Sequence, residues 1–344
     1  MVLLPVYTTL MYPVSIKLFQ TVFEIILLTT LIIVASSAFA PSVLAQSFAT
    51  TPVNIFGDGD PANGIEDDRE KILGGRRRGV SLADQRMNAG TIKCDGKIRG
   101  TAMVVDTREF APNLSGVVLV SAAHILFDLE EGVRFKRCEF HFLALGELAR
   151  YRVEIDLGKV GMGEFNPLMA TNGLQFGEGD WVFLYAPKTW RGYDPNEALI
   201  LRDFAFSQME SYRQAGGEMR LIAFDSSTGT ISVSRDCTVI KSTVGDLGGG
   251  AWDGQLLDDC DSASGASGGG IVAVLDNKQY LIGIRNGSHW SDDEFPGKDF
   301  PNGPPDGAIW NLHSNTNFGR AIDAHIMQKL QEFTRNLEQL ELGF

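Results

Sequence analysis

The chain has 344 residues, 44% hydrophobic and 21% charged, which is the balance of a soluble globular protein and excludes a fibrous or disordered chain. Thirty Lys and Arg residues against 43 Asp and Glu residues give a net charge of -13, which would repel a phosphate backbone and argues against nucleic-acid binding. At roughly 150 residues per domain, the length predicts two folding units.

Residues 1–45 predict a signal peptide. Lys17 precedes an apolar stretch, residues 25–40, and the cleavage-like triplet Val43-Leu44-Ala45 follows it. The alternative, a retained membrane anchor, needs ~20 apolar residues, more than this stretch offers. We therefore expect an exported protein, secreted or periplasmic, without stable membrane association after cleavage. Residues 46–90, rich in Gly, Asp, Asn and Arg, predict a leader or propeptide.

The four cysteines all lie after the predicted cleavage point. An even number in an oxidising compartment favours disulfides over a metal site, and no pair has C-x-x-C spacing. Four cysteines allow three connectivities. No metal or cofactor is expected.

Short apolar runs between turn signals predict an all-β fold. The runs are residues 100–105, 117–122, 137–145, 152–157, 181–185, 219–224, 230–233, 270–275 and 280–284. The less regular stretch 187–214 divides them into two β lobes, 91–195 and 196–317. In the final segment, 318–344, apolar residues at spacings of three and four predict a helix packed on the second lobe, with a partner-binding helix as the alternative.

Three residues have the types that nucleophilic catalysis needs. Ser267 lies in the motif Gly265-Ala266-Ser267-Gly268-Gly269, where the missing side chains let substrate approach closely. A serine hydroxyl needs a neutral imidazole to take its proton, and a carboxylate to orient that imidazole. His124 ends an apolar run and Asp180 begins another, so the chain supplies these groups in the order His, Asp, Ser.

These motifs resemble the trypsin/chymotrypsin-like serine proteases, nearest to the bacterial branch that includes glutamyl endopeptidases. The motifs are Ser121-Ala122-Ala123-His124, Gly179-Asp180-Trp181-Val182-Phe183-Leu184 and the glycine-rich serine motif. The resemblance spans roughly residues 66–340. It implies two antiparallel β-barrels with the active site in the cleft between them, and a secreted, monomeric serine endopeptidase acting on proteins or peptides.

The resemblance assigns His124 as general base, Asp180 as its orienting carboxylate and Ser267 as nucleophile, with an oxyanion hole made by the N–H groups of Gly265 and Ser267. It also implies one disulfide in each lobe, which pairs the cysteines as Cys94 with Cys138 and Cys237 with Cys260.

In the animal proteases, activation cleavage creates a new N-terminal amine that pairs with an aspartate directly before the catalytic serine. In this chain the residue directly before Ser267 is Ala266, so the sequence departs from that pattern. Residues 66–75 nevertheless resemble an activation junction, and cleavage after Lys71 or near Arg78 is a hypothesis.

The residues that the resemblance places in the substrate pocket favour substrate side chains of opposite charge. Ser262 lies on one wall, and Arg285 and Ser288 lie on the other, a set that favours an acidic substrate side chain. Asp261 favours Lys or Arg instead, unless it pairs with Arg285 or with backbone. The expectation is an acidic preference, with Arg or Lys as the alternative.

Two other functions are open. The serine motif also fits the elbow of an α/β-hydrolase esterase, which requires a helix after the serine and a later histidine. A catalytically silent, protease-like binding module is the non-enzymatic alternative. Asn286 additionally begins a glycosylation sequon, Asn286-Gly287-Ser288.

Overall fold

The computed structural model describes residues 56–57, 69–71, 89–143, 150–170, 178–190, 193–242, 254–276, 278–291, 293–294, 296 and 308–343. The predicted signal peptide and most of the predicted leader lie outside the described residues. All described residues belong to one compact unit, Thr50–Phe344.

The described residues are mostly β-strands. The earlier strands are β1 (Phe56–Gly57), β2 (Glu70–Lys71), β3 (Ala89–Cys94), β4 (Lys97–Val105), β5 (Val117–Ser121), β6 (Phe127–Asp128), β7 (Val133–Arg134), β8 (Cys138–Leu143), β9 (Arg150–Glu154), β10 (Val160–Met162) and β11 (Val182–Ala186). The later strands are β12 (Ile200–Leu201), β13 (Glu218–Asp225), β14 (Thr230–Ser234), β15 (Val239–Lys241), β16 (Gln255–Asp258), β17 (Gly270–Leu275), β18 (Lys278–Trp290), β19 (Ala308–Ile309) and β20 (Asn315–Ala321). The helices are α1 (Pro167–Ala170), α2 (Met209–Gln214) and α3 (Ala324–Leu342), with 3-10 turns at Ala123–Leu126, Pro195–Glu197 and Phe206–Gln208.

The first sheet consists of seven strands among the described residues, in the order β10-β11-β5-β4-β3-β8-β9. Its neighbouring strands β5 and β11 are antiparallel partners and are buried at every residue, which their β-branched and aromatic residues favour. Just beyond β9, the Asp156 N–H donates to the Tyr185 carbonyl of β11 at 2.8 Å. This bond links the two ends of the sheet and curls it toward a barrel.

The second sheet has the order β15-β16-β20-β18-β17-β13-β14-β2, with β12 added on β18. It also curls, because the Asp261 N–H beyond β16 donates to Ser234 Oγ at the end of β14. The edge strand β2 belongs to the predicted leader and pairs with β14. Beside β2, the Arg69 guanidinium lies 3.5 Å from the Asp225 carboxylate, with both side chains buried.

Each disulfide stays within one sheet. Cys94 and Cys138 are direct partners on β3 and β8, and Cys237 bonds Cys260 in the second sheet. The structure therefore forms the two expected pairs.

Helix α3 begins after Asp323, whose Oδ1 accepts the Ile326 N–H at 2.9 Å, and ends at Gly343 in the left-handed region. The prediction that it packs on the second lobe is wrong. The Phe333 ring stacks on Phe183 of the first sheet, with ring centroids 5.9 Å apart. Phe333 also lies against Gly161 of β10, at the edge of the first sheet.

The predicted fold class is confirmed: the chain is all-β, with two curled sheets, antiparallel except where β12 joins β18, and a C-terminal helix. The helix begins later than the predicted boundary at 318, because residues 315–321 form β20. Within the described part of the chain, no helix is long and apolar enough to cross a membrane.

Candidate active site

His124 and Asp180 lie side by side at one edge of the first sheet. His124 is in the 3-10 turn directly after β5, and Asp180 comes just before β11, the partner of β5. The His124 Nδ1 lies 2.8 Å from Asp180 Oδ2, and the His124 backbone N–H donates to Oδ1 at 2.9 Å. A carboxylate at Nδ1 favours the tautomer with hydrogen on Nδ1 and a lone pair on Nε2, the state that a general base needs.

Asn286 of β18 holds the same carboxylate from the second sheet. Its Nδ2 donates to Asp180 Oδ2 at 2.5 Å and to the Asp180 carbonyl at 2.7 Å. Its Oδ1 accepts the Arg320 N–H at 2.6 Å, and this bond determines the orientation of the amide. Asn286 is buried, so its sequon is not accessible in the folded protein. No local sequence signal identified Asn286 as a partner of Asp180.

The loop that carries Ser267 is bonded to the first sheet through Thr101 of β4. The Thr101 N–H donates to the Ser267 carbonyl at 2.7 Å, and its hydroxyl donates to the Gly265 carbonyl at 2.9 Å. The same hydroxyl accepts the Phe224 N–H at 2.8 Å. Thr101 is therefore a second residue that sequence reasoning missed.

Glycines let this loop approach the chain that leads to His124. A Cβ on Gly100 would lie 2.6 Å from the Ser267 carbonyl oxygen and 2.8 Å from Ile125 Cγ2. A Cβ on Gly268 would collide with Ser121 Oγ and the Thr101 carbonyl. The structure thus brings the predicted serine loop against the segment that carries the predicted histidine.

The predicted oxyanion donors are geometrically available. Among the described residues, the N–H groups of Gly265 and Ser267 have no hydrogen-bond acceptor, whereas the N–H groups of Ala266 and Gly268 donate to Ala263 and Arg285 carbonyls. Gly265 has φ +94°, a conformation that favours glycine. Two unpaired amides beside a serine can stabilise a negatively charged oxygen.

Arg285, predicted in the pocket, is buried within the second sheet. Its Nη2 lies 2.6 Å from Asp258 Oδ1, and both side chains are almost inaccessible to solvent. Burial raises the pKa of Asp258, although the Arg285 charge acts in the opposite direction. Arg285 Nε, Arg285 Nη1 and Asp258 Oδ2 have no hydrogen-bond partner among the described residues. The Arg285–Asp258 ion pair therefore leaves these three buried polar atoms without a hydrogen bond among the described residues.

The other predicted pocket residues are tied to backbone and to β20. The Asp261 Oδ1 accepts the Phe56 N–H at 2.8 Å, so this carboxylate bonds the leader rather than Arg285. The Ser288 hydroxyl donates to Asn317 Oδ1 at 2.5 Å, and Asn317 Nδ2 donates to the Cys260 carbonyl at 2.7 Å. Asn317 thus connects strand β18, which carries Ser288, to the segment that contains Asp261 and Ser262. Ser262 is buried.

In the part of the chain that the structure describes, no group of three or more His, Cys, Asp or Glu side chains is arranged to hold a metal ion.

Comparison with known proteins does not identify a family. No family model matches the sequence, and no curated protein matches it. Among solved structures, the chain is similar to a crystal structure of a thermostable serine protease, AL20, from an extremophilic microorganism. The two are 13% identical, the match covers 73% of this chain and 98% of that one, and the TM-score is 0.45. A likeness at this level does not identify an activity, which must be argued from the site residues.

Proposed function

We propose that the protein is an exported serine endopeptidase that cleaves peptide bonds through an acyl-enzyme on Ser267. The observation that carries the proposal is the 2.8 Å contact between His124 Nδ1 and Asp180 Oδ2, beside a serine loop with two unpaired amides. An orienting carboxylate, an imidazole and a serine are the set that activates a hydroxyl nucleophile.

In this mechanism the Ser267 Oγ attacks the peptide carbonyl while His124 Nε2 takes the hydroxyl proton. Asp180 accepts a hydrogen bond from His124 Nδ1–H and stabilises the imidazolium. The N–H groups of Gly265 and Ser267 bind the oxygen that becomes negative. His124 then gives its proton to the leaving amine, and water cleaves the acyl-enzyme by the same steps in reverse.

The proposal is tested by labelling the secreted protein with a fluorophosphonate and mapping the modified residue by mass spectrometry. We expect the label on Ser267, and its loss in both Ser267→Ala and His124→Ala variants, because only an activated serine reacts quickly. Circular dichroism of the variants checks that the fold persists. A folded, trimmed wild-type protein that takes no label would favour the silent binding module.

The esterase alternative is not supported by the local structure. An α/β-hydrolase elbow needs a helix after the nucleophile, but residues 270–275 after Ser267 form strand β17. The carboxylate and imidazole that contact each other, Asp180 and His124, also both precede the serine.

We also propose an acidic preference at the substrate residue before the cleaved bond. The support is the residue set predicted for the pocket, Ser262, Arg285 and Ser288, whose donors favour a carboxylate. The structure buries Arg285 against Asp258, so its guanidinium would act on a substrate through its charge and not by direct contact. Asp261, a buried carboxylate, favours Lys or Arg as the alternative. Peptides that differ only in carrying Glu, Gln or Lys before the cleaved bond test this preference. Faster cleavage after Glu than after Gln supports the proposal, and faster cleavage after Lys overturns it.

Export is proposed from the predicted signal segment and from the two disulfides, which persist in oxidising compartments. Cell fractionation of the expressed full chain tests this, because we expect the folded protein in the periplasm or the medium. Protein retained in the cytoplasm with reduced cysteines would contradict it.

A further inference from the structure

Arg320 of β20 reaches the Asp180 segment in two ways. Its backbone N–H orients the Asn286 amide that donates to the Asp180 carboxylate. Its side chain, which is 4% exposed, runs back to the first-sheet segment that leads into Asp180. Arg320 therefore contacts, from the second sheet, both the chain before Asp180 and the residue that holds its carboxylate.

All three guanidinium nitrogens of Arg320 are bonded. Nε donates to the Glu178 carbonyl at 3.1 Å, two residues before Asp180. Nη1 donates to the carbonyls of Gly254 and Ala321 at 2.9 and 3.0 Å. Nη2 lies 2.6 Å from Asp323 Oδ2. A buried cation with every nitrogen bonded has one geometry, so it fixes the positions of its acceptors.

The surroundings of the guanidinium suit arginine specifically. A Cβ on Gly254 would lie 2.6 Å from Arg320 Nη1, so only glycine leaves room for the group at that position. Lysine carries three hydrogens on one nitrogen and cannot reach four separated acceptors at once. The site is thus adapted to a planar, forked side chain.

We propose that Arg320 is a positioning residue for the His124–Asp180 pair, and this inference rests on the proposed endopeptidase function. The guanidinium of Arg320, which belongs to the second sheet, binds the Glu178 carbonyl and so fixes the segment that leads into Asp180. Asp180 thereby keeps its position relative to His124, and the imidazole keeps the orientation that the proposed mechanism needs. Misplacing a reacting group by about 1 Å can cost ~100-fold in rate.

A purely structural reading is that Arg320 only secures the start of helix α3 through Asp323. Burial acts to raise the pKa of Asp323, but the bonds from Ile326 and Arg320 lower it on balance. The Asp323→Asn variant separates the two readings. Asparagine keeps the oxygen that caps Ile326 but loses the charge that pairs with Arg320.

The experiment compares Arg320→Met, Arg320→Lys and Asp323→Asn with wild type by peptide hydrolysis and by the rate of fluorophosphonate labelling at Ser267. Arg220→Met is the matched control, because Arg220 is a buried arginine of β13 that pairs with Glu218. Thermal unfolding reports the stability of every variant.

We expect Arg320→Met to lower kcat and the labelling rate by about 10- to 100-fold, with KM little changed. Arg320→Lys should recover part of the rate. Asp323→Asn and Arg220→Met should keep wild-type kcat, even where they lower the melting temperature.

A folded Arg320→Met variant with wild-type kcat and a wild-type labelling rate would overturn the inference, as would an equal loss in Asp323→Asn. If Arg320→Met does not fold, a wild-type rate in Arg320→Lys would overturn it. A wild-type protein that takes no label at Ser267 would overturn the proposed function, and the role of Arg320 with it.

Discussion

At the residue scale, the proposed oxyanion site depends on the backbone of Gly265. Its φ is +94°, its N–H has no acceptor among the described residues, and a Cβ there would lie 2.7 Å from Phe224 Cδ1. We expect Gly265→Ala to lower kcat by about 100-fold, the cost of losing one oxyanion donor. Peptide hydrolysis and Ser267 labelling measure the effect.

Gly96 provides the control for Gly265. It has φ +85° and open space around its Cβ position, so Gly96→Ala introduces the same backbone strain in the hairpin between β3 and β4. It should cost stability of about 1 kcal/mol and leave kcat unchanged. Similar kcat values for the two variants would contradict a special role for Gly265.

Some residues of the candidate site could be predicted from the sequence, and others could not. His124, Asp180 and Ser267 stand in short motifs whose residue types suit the proposed chemistry, so local sequence was enough to select them as candidates. Asn286 and Arg320 act through contacts 106 and 142 residues away in the chain. No local pattern encodes such a contact, because it depends on how the two sheets meet.

At the element scale, helix α3 stabilises the molecule through its buried side. Leu330 is fully buried against the core, whereas Leu340 in the same helix is 60% exposed. Leu330→Ala should lower the free energy of unfolding by about 2–5 kcal/mol, since it leaves a cavity. Leu340→Ala should change it by less than about 0.5 kcal/mol. Denaturant unfolding measures both, and equal effects would contradict the packing.

Strands were predictable where apolar residues form a run between turn signals. The predicted runs 117–122 and 219–224 correspond to β5 and β13 within a residue or two. Strand β20 was not predicted, because its sequence Asn315–Ala321 is mostly polar. Its buried side chains are satisfied by distant partners, as Asn317 is by the Cys260 carbonyl, and hydrophobic periodicity does not detect such partners.

At the scale of the whole molecule, one partly buried carboxyl makes stability depend on pH. Burial raises the pKa of Asp259 to about 6, although the Thr238 N–H donates to it at 2.6 Å. The folded protein therefore binds more protons than the unfolded chain between about pH 4 and pH 6, so the contribution of Asp259 to stability falls as pH rises through this window.

The Asp259→Asn variant tests this linkage. We expect it to raise the free energy of unfolding at about pH 8, by no more than about 3 kcal/mol, and to change it little near pH 4. Denaturant unfolding at both pH values is the measurement. Asp203→Asn, at an exposed aspartate, is the control and should have little effect at either pH. Equal stability of Asp259→Asn and wild type at pH 8 would contradict the prediction.

Because β2 pairs with the second sheet, a cut in the predicted leader after residue 71 would leave the segment before the cut bound to the rest of the protein. Residues 70–71 are hydrogen-bonded to β14, Arg69 lies in a buried ion pair with Asp225, and Phe56–Gly57 pairs with β19. Breaking a buried ion pair by removing one partner costs about 3–5 kcal/mol. A nick between residues 72 and 88 would therefore produce a two-chain molecule, which migrates as one particle in its native state and as two polypeptides in denaturant.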